Sequence, residues 1–183
     1  MLQLELQLRL SHQYINKMVL QNYDILTELD KEQLNKILGY KNEDVISRFT
    51  DMFDVSSTEA ESIFNETQKF LFICQLKGIF IPDDLLIIDE MWHNFILFTK
   101  EYDSFCTNHF GRYFHHLPAT KKEKSDQKAK NEANPEAARE EYLKKLEYLI
   151  CTTYDYLGEE TVIKWFRDYP IRYSKDNIKA LRK

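Results

Sequence analysis

Hydrophobic and polar residues alternate strictly at the start of the chain. A leucine occupies every second position from Leu2 to Leu10, with polar residues between. On a β-strand this alternation puts every leucine on one face, whereas on a helix the leucines would spread around the whole circumference. The pattern predicts a short strand over residues 2–10, and a helical turn with accidental alternation is the alternative. A lone strand needs a partner, from this chain or from another.

Further along the chain the apolar positions recur at helical spacing, i, i+3, i+4 and i+7. Asp30, Asn42 and Ser56 are suitable N-caps, and Gly39 and Gly78 are suitable helix-ending glycines. The predicted helices cover residues 12–29, 31–38, 42–53, 57–77, 82–109, 135–156 and 159–166. The fold class is therefore mainly α, an irregular bundle of six or seven helices with one short N-terminal strand.

One stretch shows neither the alternation of a strand nor the apolar spacing of a helix. Residues 119–134 contain many charges and no large apolar side chain, which predicts a solvated linker. The linker would separate a helical domain over residues 1–118 from a C-terminal helical segment over 135–183. That segment either packs on the first domain or reaches elsewhere. Its basic end, from residue 170 onwards, is predicted to fray.

Composition and charge narrow the function classes. The formal net charge of −5 gives no basic footprint for nucleic acid. The three cysteines form no CxxC pair, which favours free thiols in a reducing compartment. Polar residues interrupt the longest apolar run, over residues 70–81, and Glu5 and Arg9 interrupt the N-terminal leucines. We therefore expect a cytoplasmic protein that does not bind a membrane.

Four of the five histidines lie between Pro82 and Pro118. On a helix, Asp89 lies about 40° from His93, one turn away on the same face. If that helix is unbroken, Cys106 and His109 lie about 140–160° from His93 and cannot share a ligand with it. The two histidines after Gly111, His115 and His116, could fold back towards His93. A metal site would therefore combine Asp89 and His93 with His115 or His116.

Three interpretations of His93 follow. The first is a buried polar lock, in which Asp89 fixes the imidazole and Trp92 packs against it inside an aromatic core. The second is ligation of zinc or iron, and the third is acid–base catalysis. Trp92 is predicted to lie in the structural core, together with Phe95, Tyr102 and Cys106. The sequence has no GxSxG motif and no glycine-rich phosphate loop, so it favours neither a serine hydrolase nor a nucleotide site.

The run from Ile88 to His93 has the form Asp-x-x-Trp-His, and Tyr102, Cys106, Gly111 and the His115–His116 pair follow it. This set of residues resembles the core of the glycine-rich-domain-containing-protein-like family, in the form of a bacterial stand-alone protein. The resemblance covers about 60 residues, through Pro118. It implies a small helical domain and no particular reaction.

The leading functional hypothesis is a non-enzymatic helical module that binds another protein, with no cofactor. It rests on the many aromatic residues, the unpaired N-terminal strand and the lack of a catalytic set. The strand could also pair with a second copy to form a homodimer. The alternative is a metal-binding protein or metal-dependent hydrolase that uses Asp89, His93 and His115 or His116. The predicted interaction residues are Leu4, Leu6, Leu8, Trp165, Tyr169 and Tyr173.

Overall fold

A computed structural model describes residues 29–183. The predicted strand over residues 2–10, with Leu4, Leu6 and Leu8, lies outside the described residues, as does nearly all of the predicted helix over 12–29. The prediction of a mainly helical protein is confirmed. The described part of the chain contains nine helices, counting the continuous stretch over residues 159–172 as one, and no strand. The predicted number was six or seven.

The first three helices begin at the predicted caps. Helix α1 spans Lys31–Leu38, α2 spans Glu43–Met52 and α3 spans Ser57–Ile73. The side chains of Asp30, Asn42 and Ser56 each accept a hydrogen bond from a first-turn backbone N–H, at 2.8, 3.1 and 3.1 Å. Helix α3 ends four residues earlier than predicted, because the chain already turns between Cys74 and Gly78, where φ is +86°.

The long central helix of the sequence prediction is broken in two. A 3₁₀ turn over Asp83–Leu85 leads into α4, Leu86–Ile96, and α5 spans Thr99–Phe110. The backbone leaves the helical region at Phe98, where ψ is +65°. The break lets Phe95 pack edge-on against Tyr102 and Phe105, with ring centroids 5.1 and 5.2 Å apart. Burial of these rings against one another favours two packed helices over one continuous helix.

The segment predicted as a linker also differs. Helix α6 spans Lys121–Ala133, and after Asn134 it is followed by α7, which spans Pro135–Leu157. No residue of α6 is buried, so its high charge is consistent with a solvated surface. A capping box between Thr120 and Glu123 and an ion pair one turn apart, between Lys128 and Glu132, stabilise this helix without a core. The spacing of apolar residues could not predict this helix, because the helix has no apolar face.

The C-terminal end is packed rather than frayed. Helix α8 runs continuously over residues 159–172, with a π-helical segment at Lys164–Asp168, and α9 spans Lys175–Leu181. Ile178 is buried, and the last residues lie against the end of α2. Backbone hydrogen bonds join Asp54 to Leu181 at 2.7 Å and Lys183 to Met52 at 2.9 Å. These bonds and the burial of Ile178 oppose fraying.

Helix α3 lies at the centre and contacts α1, α2, α4 and α7. Its Phe70 ring lies 6.1 Å from the ring of Trp92 and 5.9 Å from that of Trp165. One hydrophobic cluster therefore contains residues from both the N-terminal and the C-terminal parts of the described chain. No helix among residues 29–183 has the length and the apolar character that crossing a membrane requires.

Candidate metal centre

Helix α4 carries two of the candidate ligands on its solvent-facing side. Asp89 and His93 are one turn apart, and His93 Nδ1 lies 3.5 Å from Asp89 Oδ2. The Asp89 side chain is 24 % exposed and that of His93 is 54 % exposed. The pair is therefore open to solvent, as a site that exchanges ligands must be.

The third candidate ligand lies outside α4, on the segment that follows α5. After α5 the chain turns at Gly111, where φ is +67°, and residues 112–118 return across α4. His116 Nε2 and Asp89 Oδ1 form a hydrogen bond at 2.7 Å. Its ring centroid lies 4.3 Å from that of Trp92 and 4.3 Å from that of His93. We call residues 112–118 the return segment.

The three side chains converge on one point. One ligand atom from each of Asp89, His93 and His116 can be chosen so that all three lie within 4.8 Å of one another. The two oxygens of Asp89 face different histidines, Oδ1 facing His116 and Oδ2 facing His93. Zinc binds imidazole nitrogen and carboxylate oxygen at about 2.0–2.2 Å, so ligand atoms around one ion lie roughly 3–4 Å apart. Small side-chain rotations would bring the three groups onto a single ion.

Of the two adjacent histidines, only His116 joins the cluster. His115 is exposed and its ring packs against Tyr113, with centroids 4.8 Å apart. His109 lies elsewhere, half-buried on α5, where burial lowers its pKa. The sequence left His115 and His116 as alternatives, because neighbouring residues of an extended segment point to opposite sides.

The predicted buried lock forms with a different histidine. His93 was expected to be buried against Trp92, but it is more than half exposed. His116, whose side chain is 13 % exposed, both contacts Trp92 and hydrogen-bonds Asp89. The reason is helical geometry: Trp92 and His93 are adjacent, about 100° apart on α4, so when Trp92 faces the core His93 faces solvent.

The four residues predicted to form the structural core near the site are all buried: Trp92, Phe95, Tyr102 and Cys106. Trp92 Nε1 donates a hydrogen bond to the Tyr102 hydroxyl at 2.9 Å, and that hydroxyl donates to the backbone oxygen of Phe114 at 2.7 Å. Burial raises the pKa of the Cys106 thiol, which disfavours the thiolate. Sequence reasoning missed the Tyr102 hydrogen bonds, because spacing along the chain carries no signal for them.

The aromatic residues predicted to contact a partner are in the core instead. Trp165, Tyr169 and Tyr173 are all at least 96 % buried. The indole N–H of Trp165 donates to Glu66 Oε2 at 2.8 Å, and the hydroxyl of Tyr173 donates to Glu59. Their aromatic surface fills the space between α3 and the C-terminal helices, so it is not available to another protein in this conformation.

A family model described as UCP032817-like matches residues 41–146, which is more than half of the chain. The chain belongs to the UCP032817-like family. The matched residues include Asp89, His93 and His116, so the whole candidate site lies inside the region that defines membership. No curated protein and no solved structure matches the chain. The family description names no activity, substrate or ligand.

The resemblance to the glycine-rich-domain-containing-protein-like family is wrong. The family model that matches is UCP032817-like, and no glycine-rich-domain family is indicated. The resemblance rested on Asp89, Trp92 and His93 at positions i, i+3 and i+4. That spacing is the repeat of any helical turn, so a short motif of this kind recurs in unrelated helices.

Proposed function

We propose that this protein binds a divalent transition-metal ion through Asp89, His93 and His116. The observation that carries the proposal is the convergence of three ligand atoms within 4.8 Å at a solvent-facing point of α4. Two imidazoles and one carboxylate suit zinc, and they also suit iron(II) in the two-histidine, one-carboxylate sites of oxygenases. Zinc is the first candidate, because it binds carboxylate and imidazole ligands and has no redox chemistry, so it needs no electron donor or acceptor.

The position of His93 favours metal binding over a purely structural lock. A lock between Asp89 and His116 accounts for the buried side of the cluster, where Trp92 covers the His116 ring. It does not require a second histidine. His93 nevertheless turns its Nδ1 towards the remaining oxygen of Asp89, although more than half of its side chain is exposed. A metal ion between the three groups gives this second histidine a role.

Three protein ligands would leave at least one coordination position for water. In catalytic zinc sites such a water has its pKa lowered to about 7, which supplies a hydroxide nucleophile at neutral pH. Hydrolysis is accordingly the first reaction class to assay once metal binding has been established. The hypothesis of a protein-interaction module stays a prediction. Its named aromatic contacts are buried, and its named leucines lie outside the described residues.

The test is zinc affinity, measured by calorimetry on the untagged full chain and on single variants. We expect the wild type to bind one zinc ion. Asp89→Asn, His93→Ala and His116→Ala should each weaken binding by at least about tenfold, because each removes one ligand. His115→Ala is the matched control: it removes a neighbouring exposed imidazole and should change the affinity by less than about twofold.

Two results would contradict the proposal. A wild-type protein that binds no zinc, iron or cobalt at micromolar concentrations would exclude the site as a metal centre. Equal loss of affinity in His115→Ala and His116→Ala would show nonspecific binding to surface histidines. If none of the three ligand variants lost affinity, the ion would lie elsewhere on the chain.

A further inference from the structure

We propose that Tyr102 is a positioning residue, whose hydroxyl fixes the return segment so that His116 reaches Asp89. The inference rests on the proposed metal site for its function, although the positioning itself is measurable without metal. Tyr102 lies on α5 and is fully buried. It touches no ligand atom of the site, and acts through the backbone of the return segment.

The hydrogen bonds of Tyr102 join three parts of the fold. Its hydroxyl accepts from Trp92 Nε1 on α4 at 2.9 Å and donates to the backbone oxygen of Phe114 at 2.7 Å. Helix α4 also carries Asp89 and His93, and the return segment carries His116. One buried hydroxyl therefore connects the helix that holds two candidate ligands to the segment that holds the third.

The short distance along the chain makes this connection effective. His116 follows Phe114 by two residues, and an extended chain rises about 3.3 Å per residue. Fixing the Phe114 carbonyl therefore limits how far His116 can move from α4. Trp92 acts at both ends of this short path, because its N–H holds the Tyr102 hydroxyl and its ring lies 4.3 Å from the His116 ring.

The ring contacts of the return segment are less directional than its hydrogen bonds. The Phe114 ring stacks on Phe110, with centroids 4.6 Å apart, and the Arg112 guanidinium lies over the Phe114 ring. The Tyr113 ring packs edge-on against the Tyr102 ring, with centroids 5.1 Å apart. Ring contacts of this kind hold a segment against the core but tolerate sliding, whereas a buried hydrogen bond fixes one atom.

The protonation of Tyr102 supports this role. Burial raises the pKa of its hydroxyl above the ordinary value, so the group keeps its proton across the physiological range. It can then donate to the Phe114 carbonyl while accepting from the Trp92 indole. Loss of the hydroxyl would leave two buried groups, an N–H and a carbonyl, without this partner.

The experiment compares two tyrosine-to-phenylalanine variants of the full chain. Tyr102→Phe removes the hydroxyl and keeps the ring contacts. Tyr173→Phe is the matched control, because it also removes a buried hydroxyl that donates a hydrogen bond, in this case to Glu59. The first readout is the zinc affinity. The second is the imidazole nitrogen signal of His116 in long-range proton–nitrogen spectra of the metal-free protein.

Both variants should lose thermal stability, whereas only Tyr102→Phe should affect the site. We expect its zinc affinity to fall about 10- to 100-fold, as for other groups that orient a metal ligand. We also expect its His116 signal to shift away from that of the hydrogen-bonded ring. Tyr173→Phe should keep the wild-type zinc affinity within about twofold and the wild-type His116 signal. Trp92→Phe, which removes the N–H that holds the Tyr102 hydroxyl, should reproduce the His116 shift.

The outcomes separate the two proposals. If the wild type binds zinc and Tyr102→Phe binds it equally well with an unchanged His116 signal, the positioning role is overturned and the metal site stands. If the wild type binds no metal while the His116 signal still shifts in Tyr102→Phe, the metal site is overturned and the positioning of His116 stands. Equal effects of Tyr102→Phe and Tyr173→Phe on zinc affinity and on the His116 signal would show that Tyr102 contributes only to the stability of the fold.

Discussion

Glu66 shows how one buried charge can hold two parts of the chain together. Its side chain is only 5 % exposed, and it accepts hydrogen bonds from Trp165 Nε1 at 2.8 Å, Lys164 Nζ at 2.9 Å and Lys69 Nζ at 3.1 Å. Lys164 begins the π-helical segment of α8, and Glu66 lies on α3. A buried carboxylate is stable only when charged or polar partners surround it.

We predict that Glu66→Ala lowers the free energy of unfolding by about 3 kcal/mol, because the buried Trp165 N–H loses its acceptor and Lys69 loses its ion pair. Urea unfolding followed by circular dichroism checks the value. Glu61→Ala is the matched control, since Glu61 is an exposed glutamate of the same helix and its removal should change stability by less than about 0.5 kcal/mol. Equal effects of the two substitutions would show that the Glu66 network is not stabilising.

Sequence spacing contained a signal for Glu66 that the helix assignment did not use. Glu66 lies three residues after Ile63 and four before Phe70, which places it on the apolar face of α3. A charged residue at a core position predicts a buried partner, but it does not say which residue that partner is. The contact with Trp165 joins residues 99 positions apart. The local spacing of apolar residues cannot predict a contact between residues so distant in the sequence.

At the scale of the element, α6 differs from the other helices because it has no buried residue. Its stability must come from local interactions. The Thr120 hydroxyl accepts from Glu123 N at 3.2 Å, and Glu123 Oε2 accepts from Thr120 N at 2.7 Å. The backbone and side chain of Thr120 both hydrogen-bond the Glu123 carboxylate, and these bonds lower its pKa. A capping box of this kind stabilises a helix end that packing leaves unsupported.

We predict that Thr120→Ala destabilises α6 locally, by about 1 kcal/mol, with little change in the global melting temperature. Hydrogen exchange of the amides over residues 121–133 should become several-fold faster, while exchange in α3 stays unchanged. Ser125→Ala, an exposed substitution inside α6, is the control and should not speed exchange, because alanine is the better helix former. Unchanged exchange in Thr120→Ala would contradict the capping role.

Helix caps and periodic apolar faces made most of the described helices predictable. Asp30, Asn42 and Ser56 all cap helices where the sequence placed them. The break at Phe98 was not predictable, because it depends on how Phe95 packs against α5. For the site, helical geometry gave the neighbouring positions of Asp89 and His93. It could not select His116 over His115, because that choice depends on the path of the return segment after Gly111.

At the scale of the whole molecule, the core contains tyrosines whose hydroxyls are shielded from water. Tyr102, Tyr169 and Tyr173 are buried, and burial raises the pKa of each hydroxyl above the ordinary value of about 10. Each therefore holds its proton more tightly in the folded chain than in the unfolded chain. Below about pH 10 these tyrosines are protonated in both the folded and the unfolded chain, so they add no pH dependence to the free energy of unfolding.

We predict that the free energy of unfolding falls steeply above about pH 10. There the unfolded chain loses tyrosine protons that the folded chain keeps, and the loss approaches about 1.4 kcal/mol per pH unit for each buried tyrosine. Urea unfolding between pH 8 and pH 11 measures the slope. Tyr169→Phe should make the slope shallower, whereas Tyr154→Phe, which alters an exposed ring, should leave it unchanged. Identical slopes in wild type and Tyr169→Phe would contradict the account.

The most direct test of the proposed metal centre is X-ray absorption at the zinc edge on the zinc-loaded full chain. We predict a first shell of nitrogen and oxygen atoms at about 2.0–2.1 Å, with the outer-shell pattern of two imidazoles. In His116→Ala the contribution of one imidazole should disappear, and in His115→Ala both should remain. A sulfur ligand at about 2.3 Å, or an unchanged two-imidazole pattern in His116→Ala, would contradict a site built from Asp89, His93 and His116.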